Sequence, residues 1–319
     1  MATLRETRTR ITSVRNTSKI TQAMRMVAAA KLRRAQDAIT SARPFAQQLQ
    51  KILGNLAAAE TDFVHPFFES RADVRSVLVI AVSSDRGLCG AFNTNLLRAT
   101  TLRLEAIKKQ HPDAVITIIP VGRRAVSALR KRSEEIVREY PDIFLKLEFT
   151  TAKDIAEYSA DAFLGGRADR VEIIYNEFVS VIRQEQRALQ LLPIAPSIGE
   201  EAQKATTVVD YIFEPTRADI LDQLLPIYLA IPACSGRLPT RADILDQLLP
   251  IYLNMQVWRT LLESNAAEQA ARMMAMENAT SNAKDLINSL QLIYNRERQA
   301  AITKEMLEIL GGAEALSNQ

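Results

Sequence analysis

The 319-residue sequence has few thiol and imidazole side chains, with two cysteines and two histidines, and it has one tryptophan. Cys89 and Cys234 lie far apart and outside any C-x-x-C spacing, which favours a reducing compartment and excludes a disulfide scaffold or zinc site. His65 and His111 each precede a proline in loop-like sequence, so neither a metal cluster nor a histidine-based catalytic triad is expected. We therefore predict no catalytic, cofactor-binding or metal-binding residues.

Long apolar runs are also missing, although 47% of the residues are hydrophobic. No run approaches the roughly 20 residues needed to cross a bilayer, and no apolar segment near Met1 resembles a secretory signal. Any association with a membrane is therefore expected to be indirect.

The net charge is only +3, but the basic residues are concentrated at one end. Residues 1–51 contain eleven lysines or arginines against two carboxylates, Glu6 and Asp37. Three interpretations are a transit peptide, a nucleic-acid-binding arm and a basic helix that faces an acidic partner. We favour the third, because a helical repeat continues through this region and Phe45 is its only aromatic residue before Phe63. A solvated basic face is the remaining alternative.

Both ends of the chain have apolar residues at alternating steps of three and four, the spacing of a coiled coil. Eleven of fourteen N-terminal positions are apolar, and ten of fourteen C-terminal ones. The N-terminal positions are Ile11, Val14, Ser18, Thr21, Arg25, Ala28, Leu32, Ala35, Ile39, Ala42, Ala46, Leu49, Leu53 and Leu56. The C-terminal positions are Ile251, Met255, Trp258, Leu262, Asn265, Gln269, Arg272, Met276, Ala279, Ala283, Leu286, Leu290, Ile293 and Glu297. We predict one antiparallel coiled coil of two long helices, with two separate amphipathic helices as the alternative.

Between these helices the pattern changes to that of an α/β domain. Short β-branched runs alternate with helical stretches, which predicts a small Rossmann-like domain with a mixed sheet. The predicted strands are Val77–Val82, Val115–Pro120, Val171–Phe178 and Val181–Leu192, and the predicted helices are Thr94–Gln110, Arg123–Val137 and Ala152–Leu164. The fold class is thus α+β or α/β, with a central domain attached to a coiled coil.

Residues 215–229 (PTRADILDQLLPIYL) recur without change as residues 239–253. A solenoid would have at least three copies that had drifted apart, so a recent duplication or an artefact explains the repeat better. Each copy carries a threonine three residues before an aspartate, close to a capping box, so either Thr216 or Thr240 can begin a helix. We predict a helical hairpin here. One unbroken helix from Thr216 to Ile293 would contradict it.

Two glycines, Gly87 and Gly90, follow the first predicted strand, where a phosphate-binding loop often lies. The turn matches neither G-x-G-x-x-G nor G-x-x-x-x-G-K-[ST], and it lacks the lysine and hydroxyl that would hold phosphate and magnesium. We interpret the glycines as allowing a tight turn and close packing of a helix.

Three segments resemble the gamma subunit family of F-type ATP synthases. Residues 20–36 (ITQAMRMVAAAKLRRAQ) are similar to its first shaft helix, and residues 84–90 (SDRGLCG) to a loop of its α/β domain. Residues 298–315 (RQAAITKEMLEILGGAEA) fit the family signature I/V-T-x-E-x-x-D/E-x-x-x-G-A.

The resemblance implies a central rotor subunit that couples proton translocation to ATP synthesis or hydrolysis and is not an enzyme on its own. The implied partners are the hexamer of alpha and beta subunits, the epsilon subunit and the ring of c subunits, with no nucleic acid. The implied location is peripheral, at the cytoplasmic face of the bacterial inner membrane. By position in the motifs, the candidate subunit-contact residues are Met24, Lys31, Arg298, Gln299, Thr303 and Glu305.

The expected domains are an N-terminal shaft helix (1–60), the α/β domain (70–195), a linker with the duplicated segment (196–250) and a C-terminal shaft helix (251–319).

Chloroplast relatives carry a redox-active cysteine pair in an insertion in the linker region, but this linker has Cys234 alone, so redox control is not expected. The alternatives are a small α/β enzyme with helical extensions, and a coiled-coil scaffold with a non-catalytic α/β domain.

Overall fold

A computed structural model describes residues 4–59, 65–69, 71, 73–194 and 241–317. Its helices are α1 (Leu4–Ala59), a short 3-10 turn (Pro66–Phe68), α2 (Phe92–Gln110), α3 (Arg123–Leu129), α4 (Phe149–Leu164) and α5 (Arg241–Ser317). Its strands are β1 (Ser76–Val82), β2 (Val115–Val121), β3 (Glu135–Ile136), β4 (Arg170–Phe178) and β5 (Gln184–Leu192). None of these described helices has an apolar stretch long enough to span a membrane.

The two terminal helices form the predicted antiparallel coiled coil. Helix α5 has 77 residues, about 115 Å at 1.5 Å per residue, and α1 has 56 and continues through Pro44. The antiparallel direction follows from two contacts: Thr7 donates a hydrogen bond to Glu297 (3.2 Å), and Ala35 packs in one cluster with Ala266. Small side chains at this crossing let the two backbones approach closely. We call this pair of helices the shaft.

Where its side chains are described, the seam of α1 has the predicted phase, whereas that of α5 departs from it near both ends. Ile251, Leu286 and Ile293 are predicted seam positions, but they are 40%, 40% and 48% exposed. Towards the C-terminal end the buried or half-buried positions are Met276, Ala279, Thr280, Ala283, Ile287, Leu290, Tyr294 and Glu297. The prediction was wrong for Leu286 and Ile293 because both phases contain apolar residues, and only the position of α1 selects one face.

The central domain has a five-stranded sheet in the order β3-β2-β1-β4-β5, in which only β4 and β5 pair antiparallel. The predicted mixed, Rossmann-like sheet is therefore confirmed. One predicted helix is wrong: residues 123–137 form α3 only as far as Leu129, and Glu135–Ile136 pair with β2 as the short edge strand β3. That pairing satisfies backbone groups of β2 that a longer helix would have left without strand partners.

Successive residues of β1 enter two different cores, because side chains alternate across a strand. Val77, Val79 and Ala81 pack with residues of α2 and α3. Leu78, Ile80 and Val82 pack with α4 and with the first part of α5. The residues that α5 contributes to this core are Leu249, Tyr252, Leu253, Val257 and Leu261. Helix α5 is thus both half of the shaft and a layer of the α/β domain.

The described part of α5 begins at Arg241, inside the second copy of the repeat and inside the segment expected to be linker. The predicted helical hairpin and the first copy lie outside the described residues. Pro250 lies inside α5, and the helix continues past it.

Gly122 joins β2 to α3 with φ +88°, and a Cβ there would come within 2.3 Å of the carbonyl oxygen of Ser83. We expect Gly122→Ala to lower the free energy of unfolding by about 3 kcal/mol or more, since it adds a steric clash to left-handed backbone strain. Gly166 is the matched control, because it has φ +70° but no atom within 4 Å of a Cβ. Gly166→Ala should cost only about 1 kcal/mol. If urea unfolding showed the same loss of unfolding free energy in both variants, the close approach of Gly122 to the carbonyl of Ser83 would be contradicted.

Candidate functional site

The glycine turn, residues 83–90, rests against the shaft. Arg272 of α5 donates a hydrogen bond from one terminal nitrogen to the carbonyl oxygen of Gly87 (3.2 Å). Cys89 is buried against Ala267 of α5. Gly90 has φ +58°, and a Cβ built on it would lie 3.8 Å from the Cβ of Ala275. The positive φ of Gly90 therefore serves the tight turn that the sequence indicated, and the turn packs on α5 through Cys89. Burial raises the pKa of the Cys89 thiol, which keeps it protonated at neutral pH.

The carboxylate of Asp85 holds the glycine turn to the rest of the domain. One of its oxygens accepts hydrogen bonds from the backbone N–H groups of Arg123 (3.0 Å) and Asp142 (2.9 Å), and the other accepts one from Phe144 (2.8 Å). The side chain joins β1, the start of α3 and the loop before α4 at one point. Because charge-assisted bonds to backbone N–H groups are among the stronger ones in proteins, this part of the turn is held firmly.

A buried ion pair lies on α5 beneath the turn. Glu268 and Arg272, one helical turn apart, are 2.6 Å from each other, and their side chains are 5% and 13% exposed. Burial raises the pKa of Glu268 above its ordinary value, while Arg272 opposes that rise. The second carboxylate oxygen of Glu268 has no hydrogen-bond partner among the described residues. Arg272 therefore both neutralises Glu268 and reaches the carbonyl oxygen of Gly87.

A cleft of about 770 Å³ opens between α1, α5, the glycine turn and the loop before α4. Four cationic side chains and two carboxylates line it: Lys31, Arg86, Arg124, Arg272, Asp85 and Glu268. Its rim is apolar and solvent-facing, with Ile20, Val27, Leu88 and Leu145 each 57% to 66% exposed. Exposed apolar side chains grouped beside charged ones are typical of a surface that another protein covers. We call this the shaft cleft.

The six candidate contact residues fall into two groups. Met24 and Lys31 both line the shaft cleft. Arg298, Gln299, Thr303 and Glu305 are exposed on α5 beyond Glu297, the partner of Thr7 near the start of α1. With 1.5 Å per residue, the second group lies about 40 Å along α5 from Arg272. The fold brings together the members of each group but not the two groups.

Sequence reasoning missed Asp85 and Glu268. Asp85 lies in the turn of residues 84–90, but nothing in the sequence shows that three distant backbone N–H groups converge on its side chain. Glu268 could have been found, because an acidic residue four positions before Arg272 on a predicted helix is the spacing of an ion pair. One polar pair within the seam joins Thr21 to Thr280, whose hydroxyl oxygens are 2.7 Å apart. The predicted seam includes Thr21 but not Thr280.

A long antiparallel shaft that carries a Rossmann-like domain on its side defines the chain as a stalk-type subunit. The family model described as ATP synthase matches residues 3–236 and 235–316. The ATP synthase gamma chain of Chloroherpeton thalassium is 46% identical over 99% of both chains, and that of Chlorobium limicola is 46% identical over the full length of both.

The chain therefore belongs to the ATP synthase gamma chain family, and its role is that of the rotor in the central stalk. Solved structures agree in fold. A chain of the Euglena gracilis mitochondrial ATP synthase, solved by cryo-EM as part of OSCP/F1/c-ring, superposes with a TM-score of 0.62 at 21% identity. The match covers 98% of this chain and 94% of that one. A scaffold unrelated to ATP synthesis is not favoured.

The buried pair gives a test of the junction between turn and shaft. Arg272→Met should lower the free energy of unfolding by about 3–5 kcal/mol at neutral pH, because it leaves Glu268 buried without its counter-charge. The double variant Glu268→Gln/Arg272→Met should recover most of the loss, and chemical unfolding of the two variants measures the difference.

The same variant has a predictable pH dependence. Without Arg272, the pKa of Glu268 rises further above the unfolded-state value, so the folded state binds a proton at a pH where the unfolded state does not. The penalty of Arg272→Met should therefore be largest at neutral pH and shrink as the pH falls towards the ordinary carboxyl range. A penalty that is constant with pH, or that grows in acid, would show that Glu268 is not the group affected.

Proposed function

We propose that this chain couples proton translocation through the membrane sector to ATP synthesis or hydrolysis in a hexamer of alpha and beta subunits. In this proposal it has no catalytic site of its own, and it works by rotating as one body. The observation that carries the proposal is the double role of α5. Its first part is a core layer of the α/β domain, and the rest continues without interruption as the shaft.

Transmission of torque needs a joint that does not slip between the domain and the shaft. Three features supply it here: the apolar core that α5 shares with β1 and α4, the ion-paired Arg272 that holds the glycine turn, and the network around Asp85. Turning the domain against the shaft would break all three together. A rigid joint of this kind supports a rotor more directly than it supports a scaffold.

The free end of α5 supports contact with a surrounding partner. Past Glu297 the helix carries exposed apolar side chains at positions that α1 does not reach: Ile302, Met306, Leu307, Ile309 and Leu310, each 49% to 71% exposed. A single helix with so much apolar surface is unfavourable in water unless another protein covers it. We propose that the hexamer covers this end.

We also propose that the six candidate residues lie at or near contacts with the alpha and beta subunits. These are Met24 and Lys31 in the shaft cleft, and Arg298, Gln299, Thr303 and Glu305 near the free end. The basic excess of α1 suits an acidic partner surface. The α/β domain is proposed to face the epsilon subunit and the ring of c subunits, which places the chain peripherally at the cytoplasmic face of the bacterial inner membrane. Membrane association then occurs only through the complex.

Reconstitution tests the proposed function. The purified chain should hydrolyse no ATP alone and should restore ATPase activity when it is mixed with alpha and beta subunits. Activity of the chain alone would instead favour an enzyme, and failure to assemble would favour a scaffold.

The proposed contacts near the free end can be tested in the same assay. The double variant Arg298→Ala/Gln299→Ala should lower the restored ATPase activity by about tenfold, in the range that removal of interface residues causes. Lys284→Ala is the matched control, since Lys284 is exposed on α5 between the shaft cleft and the free end and is not among the proposed contacts. Equal activity of the double variant and the control would remove Arg298 and Gln299 from the contact.

A further inference from the structure

The first turns of α5 are held by an apolar surface that we call the seat. Leu249, Tyr252 and Leu253 are 0%, 9% and 1% exposed, and all three belong to the larger core of the α/β domain. Helix α5 packs here against α4, β4 and β5. The described residues that share this core with them and form the seat include Leu49, Phe67, Phe163, Leu192 and Ile194. Leu249, Tyr252 and Leu253 all belong to the second copy of the repeat.

The first copy carries the same side chains in the same order. Leu225, Tyr228 and Leu229 stand where Leu249, Tyr252 and Leu253 stand in the second copy, 24 residues later, and no residue differs within the 15. A helix formed by either copy therefore presents an apolar face of one shape and volume. The 15 residues of the two copies would make the same contacts with the seat. The copies differ only in the chain that precedes and follows them.

We propose that the first copy, residues 215–229, is an alternative occupant of the seat. When it takes the place of the second copy, the chain leaves the seat after Leu229 and returns at Asn254, where α5 continues as before. The 24 residues 230–253 then form the connection between these two points. The apolar contacts at the seat are the same in both arrangements.

The two arrangements differ in stability because of the connection. The second copy is covalently continuous with α5, whereas seating the first copy interrupts the helix and closes a loop of 24 residues. Loop closure scales as the three-halves power of the length, which disfavours the exchange by about a hundredfold before the interruption of the helix is counted. The second copy is therefore the normal occupant. Because the first copy can replace the second, a substitution in the second copy can lower the folding equilibrium constant by no more than the cost of that exchange.

The test places the same two substitutions in one copy or in both. The second-copy variant is Leu249→Asp/Leu253→Asp, the first-copy variant is Leu225→Asp/Leu229→Asp, and the third variant carries all four. Two buried aspartates would, without a substitute, lower the folding equilibrium constant by far more than a hundredfold. Unfolding of the full chain in urea can be followed by the fluorescence of Trp258, the one tryptophan in the sequence, which packs edge-on against Phe149 with ring centroids 5.8 Å apart.

We expect the first-copy variant to unfold like the unmodified chain, and the second-copy variant to be destabilised to a limited extent. The four-substitution variant should be at least about tenfold lower in its folding equilibrium constant than the second-copy variant. A chain from which residues 216–239 are deleted is the matched control, because it keeps a single copy. In that background Leu249→Asp/Leu253→Asp should be as damaging as the four substitutions are in the full chain.

Equal stability of the second-copy and four-substitution variants would overturn the proposal, since the first copy would then contribute nothing at the seat. A first-copy variant as unstable as the second-copy variant would also overturn it, because the two copies would then have separate places. If the second-copy variant does not fold, Leu249→Ala/Leu253→Ala, Leu225→Ala/Leu229→Ala and the combination of all four are compared in its place, and the same ranking is expected. None of these outcomes bears on the rotor role, which the single-copy chain tests independently.

Discussion

The burial of one helix in two different environments is the constraint on which the rest of this structure depends. The first part of α5 lies in the core between the sheet and α4, and the next part pairs with α1. Because an α-helix is stiff over tens of ångströms, the orientation that the domain core imposes on α5 is also the orientation of the shaft. The pairing with α1, the position of the glycine turn and the direction of the free end all follow from that one placement.

The polar contacts around the shaft cleft act on this same junction. Apolar packing is non-directional and allows two helices to slide or rotate to some degree, whereas the hydrogen bonds of Asp85 and the pairing of Arg272 with Glu268 require one register. The buried pair gives little net stability, because desolvation offsets much of the attraction. Its contribution is to make one rotational position of the turn on α5 far more favourable than its neighbours. For a subunit that transmits rotation, that specificity matters more than added stability.

Surface chemistry divides along the length of the shaft. Near the α/β domain, charged and apolar groups are mixed around the cleft, which suits a contact that is selective and reversible. Past Glu297, the surface of α5 is an exposed apolar helix with scattered charges, which suits a close-fitting apolar enclosure. The six residues picked out by motif position divide between these two regions, so they do not form one site. The chain belongs to the ATP synthase gamma chain family, and in the proposed function the two surfaces make different contacts within that complex.

Much of this could be read from the sequence, because it depends on patterns that are local along the chain. Three-four spacing marked both shaft helices, β-branched runs marked β1 and β2, and the signature that ends at Ala313 marked the family. What the sequence left open was decided by contacts between residues distant along the chain. Both faces of α5 near Leu286 are apolar, and only the position of α1 selects the one that Thr280 and Ile287 occupy. Helix α3 stops at Leu129 because β2 offers its free edge to Glu135–Ile136. Asp85 became a junction because three backbone N–H groups meet it in space. Periodicity can state which faces of an element are apolar, but which face is covered, and by what, is set only when the elements pack.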